Sequence, residues 1–420
     1  MKKISFLHML AITSLGFALT FSSNVQDPPL MTFKVRELAP NLPNTTLGIL
    51  GFIGLLVAMV VQPIVGVFSD RARTRMGRRM PFIFGGAVLI AVSLFMLVLA
   101  PALWVLLLGV IMIQFSSNIL QGPWQALIPD LVPEEQRGTA SSLKAVLDII
   151  AVIAGGMVAG MLLGKMEQWG KAAVYATAGA PVILFAILMT VTAIWAREKK
   201  EATAETVASR SVGEALKNAF YVNFRERPVF GWWFANRILF WGAFIAINSF
   251  LINYLMDVVG MTQAEAQSFY GGLKMILGGA LIVLALLSGW LSDKFGRKPL
   301  MLASSIVSFI GAVVLLLVRD KTLITVAGAI IGMGIGTFLS ASWALATDIV
   351  PREEAARYLG IANIATCIGS GGARLLGGVL IDPINKALGS SSLGYLSLFI
   401  LAALFFLASA LVIIPLPKKA

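Results

Sequence analysis

A chain of 420 residues that is 58% hydrophobic and only 13% charged carries more apolar surface than a water-soluble core can hide. Its formal charge of +12 would suit nucleic acid in a soluble protein, but in a chain of this composition the basic residues report membrane topology, and no nucleic-acid partner is expected. One cysteine (Cys367) and one histidine (His8) exclude a disulfide framework, a histidine metal site and a histidine proton relay; neither metal nor cofactor is expected, and no clustered catalytic set argues for an enzyme.

Crossing a hydrocarbon core of roughly 30 Å takes about 20 mostly apolar residues in a helix. Twelve such stretches occur, at 5–24, 45–68, 81–100, 103–127, 140–163, 173–195, 231–256, 268–291, 299–318, 322–346, 358–381 and 392–415. The expected fold is an all-α membrane protein embedded in the lipid bilayer. Met1-Lys2-Lys3 ahead of an apolar run to Phe21, with small Ala18 and Ser22, also fits a cleavable signal peptide. Cleavage would leave eleven spans.

With twelve spans and the amino end inside, one side of the membrane collects Lys2, Lys3, Arg71, Arg73, Arg75, Arg78, Arg79, Arg137, the basic residues of 197–227, Lys294, Arg297, Lys298, Arg352, Arg357, Lys418 and Lys419. The loops on the other side hold Lys34, Arg36, Lys165, Lys171, Arg319, Lys321 and Lys386. Basic residues gather in cytoplasmic loops, so both termini are expected in the cytoplasm and the chain in the inner membrane.

After the second span comes Gly66-Val-Phe-Ser-Asp70-Arg71, ending in Gly77-Arg78-Arg79; after the eighth comes Gly289-Trp-Leu-Ser-Asp293-Lys294, ending in Gly296-Arg297-Lys298. The fourth span closes on Ala126-Leu-Ile-Pro-Asp130-Leu-Val-Pro133, and the tenth on Ala344-Leu-Ala-Thr-Asp348-Ile-Val-Pro351. The aspartates of these two pairs lie 223 and 218 residues apart. A repeat of that length predicts two pseudo-symmetric six-helix bundles, at 1–196 and 231–420, joined by a cytoplasmic linker at 197–230. Parallel repeats place a substrate site near the midplane between them. Gly66 is expected to let helices approach closely, and Asp70 to accept charge-assisted hydrogen bonds from nearby arginines.

Ionisable residues at bilayer depth are costly and point to function. Asp148 lies 11 residues past Arg137, about 16 Å along the fifth span, and Lys144 is one turn earlier on the same face. The pair suits proton coupling, because a change in a lysine's distance shifts a carboxyl's proton affinity; it equally suits a static brace. Arg374 follows Gly369-Ser-Gly-Gly372, where small residues are expected to open space for a guanidinium to hold a polar or anionic group. Arg237 and Lys274, nearer helix ends, are long enough to snorkel to the interface. Gln114, Asn118, Gln121 and Gln125 share one face of the fourth span. With Trp124 beside them and Asn248 in the seventh span they suit a sugar, which offers hydroxyls and an apolar ring face. Interhelical hydrogen bonding would also explain such amides.

The duplicated Gly, Asp-Arg and Gly-Arg-Arg pattern resembles the signature of the major facilitator superfamily. That resemblance implies that Gly66, Asp70, Arg71, Arg78, Arg79, Asp130, Asp293, Arg297 and Asp348 form gates that latch one closed state of an alternating-access carrier. A narrower resemblance, to the sucrose and glycoside cation symporters of that superfamily, rests on Ser69-Asp70-Arg71, Arg75, Gly77-Arg78-Arg79, Pro81-Phe82, Asn118, Gln121-Gly122-Pro123, Ala126-Leu127 and Asp130-Leu131. Gln125 departs from the arginine those sucrose carriers usually have after Gly-Pro, and the second span lacks the acids that melibiose-type relatives use for cations.

The sequence thus predicts a monomeric secondary transporter that imports a small sugar-like solute with a coupling cation, H⁺. The alternative is an exporter of amphipathic compounds, which shares the duplicated loop and needs a more apolar cavity. Saturable flux separates either carrier from a channel.

Overall fold

The structure is a computed structural model that describes residues 3–72, 74, 76–195, 224, 227–349 and 355–416; the side chains of 63, 67, 70, 71, 286, 289, 290, 293, 347, 348 and 355–362 lie outside that description. The helices are α1 (Phe6–Val25), α2 (Met31–Leu38), α3 (Pro43–Arg71), α4 (Met80–Leu99), α5 (Leu103–Leu131), α6 (Arg137–Leu163), α7 (Met166–Trp169) and α8 (Lys171–Trp195), then α9 (Pro228–Asp257), α10 (Gln263–Phe295), α11 (Arg297–Leu317), α12 (Lys321–Ile349), α13 (Ala355–Leu388) and α14 (Leu393–Ile413). Among the described residues twelve helical stretches are long and apolar enough to cross a membrane. Each predicted span falls on one of them. Helices are the expected solution, since in lipid every backbone N–H and C=O must be satisfied within the segment. The chain is an integral membrane protein.

The first span differs most from expectation. Rather than ending near residue 24, it runs on through a π-helical turn, Gln26–Leu30, into α2. Asp27 leaves helical geometry there (φ −128°, ψ 118°), where Pro28 and Pro29 remove two backbone donors. Lys34 and Arg36, expected in a loop, consequently sit on α2, and Lys34 is buried with its ammonium 2.7 Å from Glu37.

Two compact units divide the chain: residues 1–38 with 54–218, and 39–53 with 219–420. The second unit therefore takes the first part of α3, which the predicted boundaries 1–196 and 231–420 would keep with the first bundle. In the first unit the first span packs on the fifth and sixth, and the third on the fourth and sixth. The same pairings recur six spans later: seventh on eleventh and twelfth, ninth on tenth and twelfth. The duplicated aspartate motifs thus mark a duplicated packing pattern.

The cores follow from composition. Ile12 and Leu15 of α1 and Trp124 of α5 are buried in the first unit; Phe240, Phe338 and Phe406 cluster in the second, the first two stacked at 3.7 Å between centroids. Large apolar side chains such as Leu317, Trp104, Ile183 and Leu7 point outward, as lipid requires and water would not favour. The start of α10 is fixed by a capping box: Thr262 accepts from the N–H of Glu265, whose carboxylate accepts from the N–H of Thr262.

Candidate functional site

In the first unit the i,i+4 spacing on α6 brings Lys144 and Asp148 together, with Nζ 2.7 Å from Oδ2 and both side chains about three-quarters buried. Thr20 of α1 donates to the other carboxylate oxygen at 3.2 Å. Lys144 also lies over the Trp124 ring, 5.4 Å from its centroid. One half-buried ion pair thus ties together α1, α5 and α6. A lysine N-terminal to its acid is the weaker order for stabilising a helix through this spacing, so local helix stability is a poor account of the pair.

The amide stripe of α5 is only partly a lining. Trp124 is 2% exposed, its indole N–H donates to the Ile12 carbonyl at 2.9 Å, and a Cβ at Gly16 would overlap its ring. It is a packing residue that faces α1 and Lys144, not a surface offered to a sugar. Asn118 is likewise buried and donates to the Gln114 carbonyl at 2.8 Å. Gln121 and Gln125 remain partly accessible, and Gln114 packs near Gly54 of α3.

In the gating loop Asp130 takes Arg78 Nη2 at 2.7 Å and Arg79 Nε at 3.2 Å. Arg79, nearly buried, also donates from Nη1 to the Ser69 hydroxyl at 2.8 Å. Gly77 holds φ +98° just before these arginines, and Gly296 holds +88° in the second copy; that left-handed backbone favours glycine. Gly66 shows no close helix approach here, since a Cβ on it would meet no atom within 4 Å. In the second copy Arg297 donates to the Ser292 hydroxyl at 2.6 Å, and Lys298 reaches the carbonyls of Ile414 and Leu416 beyond α14. The side chains of Asp70, Arg71, Asp293 and Asp348 lie outside the described residues.

Three cations stand well inside the helices of the second unit. Arg237 of α9 is 3% exposed, donates from Nε to Thr366 Oγ1 at 3.0 Å, and lies over the Trp343 and Trp233 rings at 4.8 and 5.6 Å. Lys274 of α10 is 5% exposed and donates to Asn248 Oδ1 at 2.8 Å; Tyr270 donates to the same oxygen at 3.1 Å. Neither cation snorkels: aromatic faces and an amide oxygen hold both in place. Arg374 of α13 owes its room to Gly51 of α3, where a Cβ would stand 2.7 Å from its Cδ and Nη1. Gly369, expected to open space, instead lets α13 close on Gly242 and Ile238 of α9.

Sequence reasoning missed a polar cluster in the second unit around Asn44, Thr45, Asn253, Asp257, Asp382 and Tyr395. Asn44 donates to Asp382 (2.7 Å) and accepts from Asn253 (2.8 Å), and Tyr395 donates to Asp257. The available signal was an acid just before Pro383, inside a membrane-spanning helix.

The pattern of the Major Facilitator Superfamily matches residues 4–373, and again 275–420. The sucrose transport protein SUC4 of Arabidopsis thaliana is 29% identical over 185 residues, covering 40% of this chain and 35% of that protein. SUT1 of Oryza sativa subsp. japonica is 32% identical over 140 residues, 28% and 25% of the two lengths. The chain therefore matches about a third or less of these relatives' lengths. Among solved structures, a D-xylose-proton symporter superposes with TM-score 0.69 at 17% identity, covering 98% of both chains. A bacterial homolog of the human lysosomal transporter Spinster gives 0.74 at 15%, over 97% of this chain and 95% of that one. With the signature loops duplicated, the helix pairings repeated and the family pattern spanning the chain, the protein belongs to the Major Facilitator Superfamily.

Proposed function

We propose that the protein is a proton-coupled importer of a small sugar-like solute, working by alternating access as a monomer in the cytoplasmic membrane with both termini inside. The observation that carries the coupling is the Lys144–Asp148 pair, a half-buried charge pair touched by Thr20 and Trp124. Charges at that depth mark ion and substrate paths. A carboxyl released from its lysine gains proton affinity, and one drawn back loses it, so a movement of α1 or α5 against α6 loads or unloads a proton. The likeness to sucrose transport proteins, and the fold shared with a D-xylose-proton symporter, support the substrate class.

In this reading Gln121, Gln125, Asn248 and Arg374 meet the substrate, while Trp124 and Asn118 support the helices that carry them. The Asp130–Arg78–Arg79–Ser69 cluster and its second-unit counterpart around Ser292 and Arg297 stabilise a closed state at the cytoplasmic side. The test is uptake of labelled sugars by the purified protein in proteoliposomes with and without an imposed pH gradient. Accumulation that needs an inward proton gradient is expected; uptake indifferent to the gradient refutes the coupling.

A further inference from the structure

We infer that Trp241 of α9 is the residue on which the second unit lays the solute, its indole ring against the apolar face of a sugar and its N–H given to a sugar hydroxyl. The inference rests on the proposed reading as a sugar carrier and adds the aromatic surface that Trp124, tied into packing, does not supply. It starts from what covers α9. Gly242 and Phe250 pack on Gly369 and Gly377 of α13, and Asn236 donates to the Ser409 hydroxyl of α14 at 2.8 Å. Trp233 donates to the Ser342 carbonyl of α12 at 3.0 Å, and Asn248 accepts from Lys274 of α10. Wound at 3.6 residues per turn, the helix is left with one strip between its α10 and α13 sides. Trp241 and Ile245 stand on that strip, both half-buried, while Gly242, Ala243, Ala246 and Ile247 around them are buried.

The tryptophans that serve packing look different. Trp124 and Trp233 are 2% and 0% exposed, and each indole N–H donates to a carbonyl, of Ile12 and of Ser342. Trp241 has neither property: it is half-buried, and its N–H, though screened from water, meets no acceptor among the described residues. Phe244 stands steeply against the ring, with 5.9 Å between centroids and 69° between planes, a ring contact and not a hydrogen bond. A buried donor left unmet is costly, and phenylalanine would fill the same place without that cost. An indole kept there points to a partner that arrives with the solute. Asn248, two turns further along α9, adds a donor. Its Oδ1 already accepts from Lys274 and Tyr270 at 2.8 and 3.1 Å, so the N–H₂ group is what it has left to offer. Aromatic walls with a few placed polar groups are the general pattern of small-molecule sites, and this pairing suits a solute with an apolar ring face and a rim of hydroxyl oxygens.

The test is uptake of labelled glucose and sucrose by proteoliposomes holding wild type, Trp241→Phe or Trp241→Leu. For whichever probe is taken up, Trp241→Leu should raise KM about tenfold or more. Trp241→Phe should raise it less, because it keeps a ring face and loses only the N–H. Maximal rates and unfolding midpoints of both variants should stay near those of wild type. Hydroxyl-radical footprinting of the wild type reads the contact without a substitution: a saturating concentration of the transported probe should protect Trp241 from oxidation and leave Trp169, at the end of α7, unchanged. Unchanged KM in folded Trp241→Leu, or a Trp241 that the probe does not protect, overturns the inference and leaves the sugar reading standing. Uptake of no sugar overturns both. Footprinting decides the matter where Trp241→Leu fails to fold.

Discussion

The Asp382 carboxylate holds the first turn of α3 through Thr45, whose backbone N–H donates to Oδ2 at 2.7 Å while neighbouring Asn44 donates to Oδ1 at 2.7 Å. The start of a helix leaves N–H groups without intrahelical partners, and a carboxylate there also faces the positive end of the helix dipole. Asp382 is a cap supplied from another helix, 9% exposed. Leaving such a donor unmet costs about 1–3 kcal/mol. Asp382→Ala should lower the thermal unfolding midpoint in detergent clearly, and Asp382→Asn by less, because the amide keeps one acceptor oxygen. Identical midpoints for Asp382→Ala and wild type would show that the cap carries no weight.

Two glycines of α3 should respond oppositely to alanine. A Cβ at Gly48 would meet the backbone of α13, overlapping the Arg374 carbonyl and standing 2.8 Å from the Gly378 Cα. Backbone cannot move aside as a side chain can, so Gly48→Ala should cost about 1–3 kcal/mol or more. Gly66 has no atom within 4 Å of its Cβ direction, and Gly66→Ala should leave unfolding unchanged. Fluorescence-detected unfolding of the two variants side by side reads the contrast; a larger loss at Gly66 would sink it.

What was legible in the sequence was what periodicity and composition encode. Apolar length marked every span because lipid imposes it, and the i,i+4 spacing placed Lys144 against Asp148 because helix geometry imposes that too. The duplicated aspartates foresaw the repeated helix pairings. Long-range partners were not legible. Nothing local tells that Trp124 would turn its ring onto Gly16, or that Asp130 would take Arg78 and Arg79. Lys274 and Arg237 were misjudged because snorkelling depends on distance to the interface, whereas their partners Asn248 and Trp343 come from other positions and helices. The first span was expected to end at residue 24, whereas the helix resumes beyond Pro28 and Pro29.

Asp148→Asn should separate binding from coupling. The amide keeps the size of the carboxylate and an acceptor for Thr20, but holds no dissociable proton. Substrate exchange across the membrane should survive, while accumulation driven by an imposed pH gradient should fall to the equilibrium level. Lys144→Gln should likewise reduce accumulation, since it removes the cation 2.7 Å from the carboxylate on which the proposed coupling depends. Counterflow and gradient-driven uptake measured on the same vesicles distinguish the outcomes. Full accumulation by Asp148→Asn means the proton travels elsewhere.

Arg79 and Asp130 should prove unequal partners of the loop cluster. Arg79 is 7% exposed in its side chain and divides its donors between Asp130 and Ser69, whereas Arg78 is 24% exposed. Removing the acid takes a charged acceptor from a nearly buried guanidinium, and weakening the pairing of a buried charge is more damaging than losing an exposed contact. Asp130→Ala should therefore destabilise more than Arg78→Ala, which leaves the Arg79–Asp130 bond intact. Arg79→Lys should fall between them, because an ammonium lacks the fork that spans both partners. Ser69→Ala removes one hydrogen bond to a charged group, about 1.5–3 kcal/mol, and its effect should vanish in an Arg79→Ala background. A double-mutant cycle on unfolding midpoints measures that coupling, and strictly additive losses would place Ser69 outside the cluster.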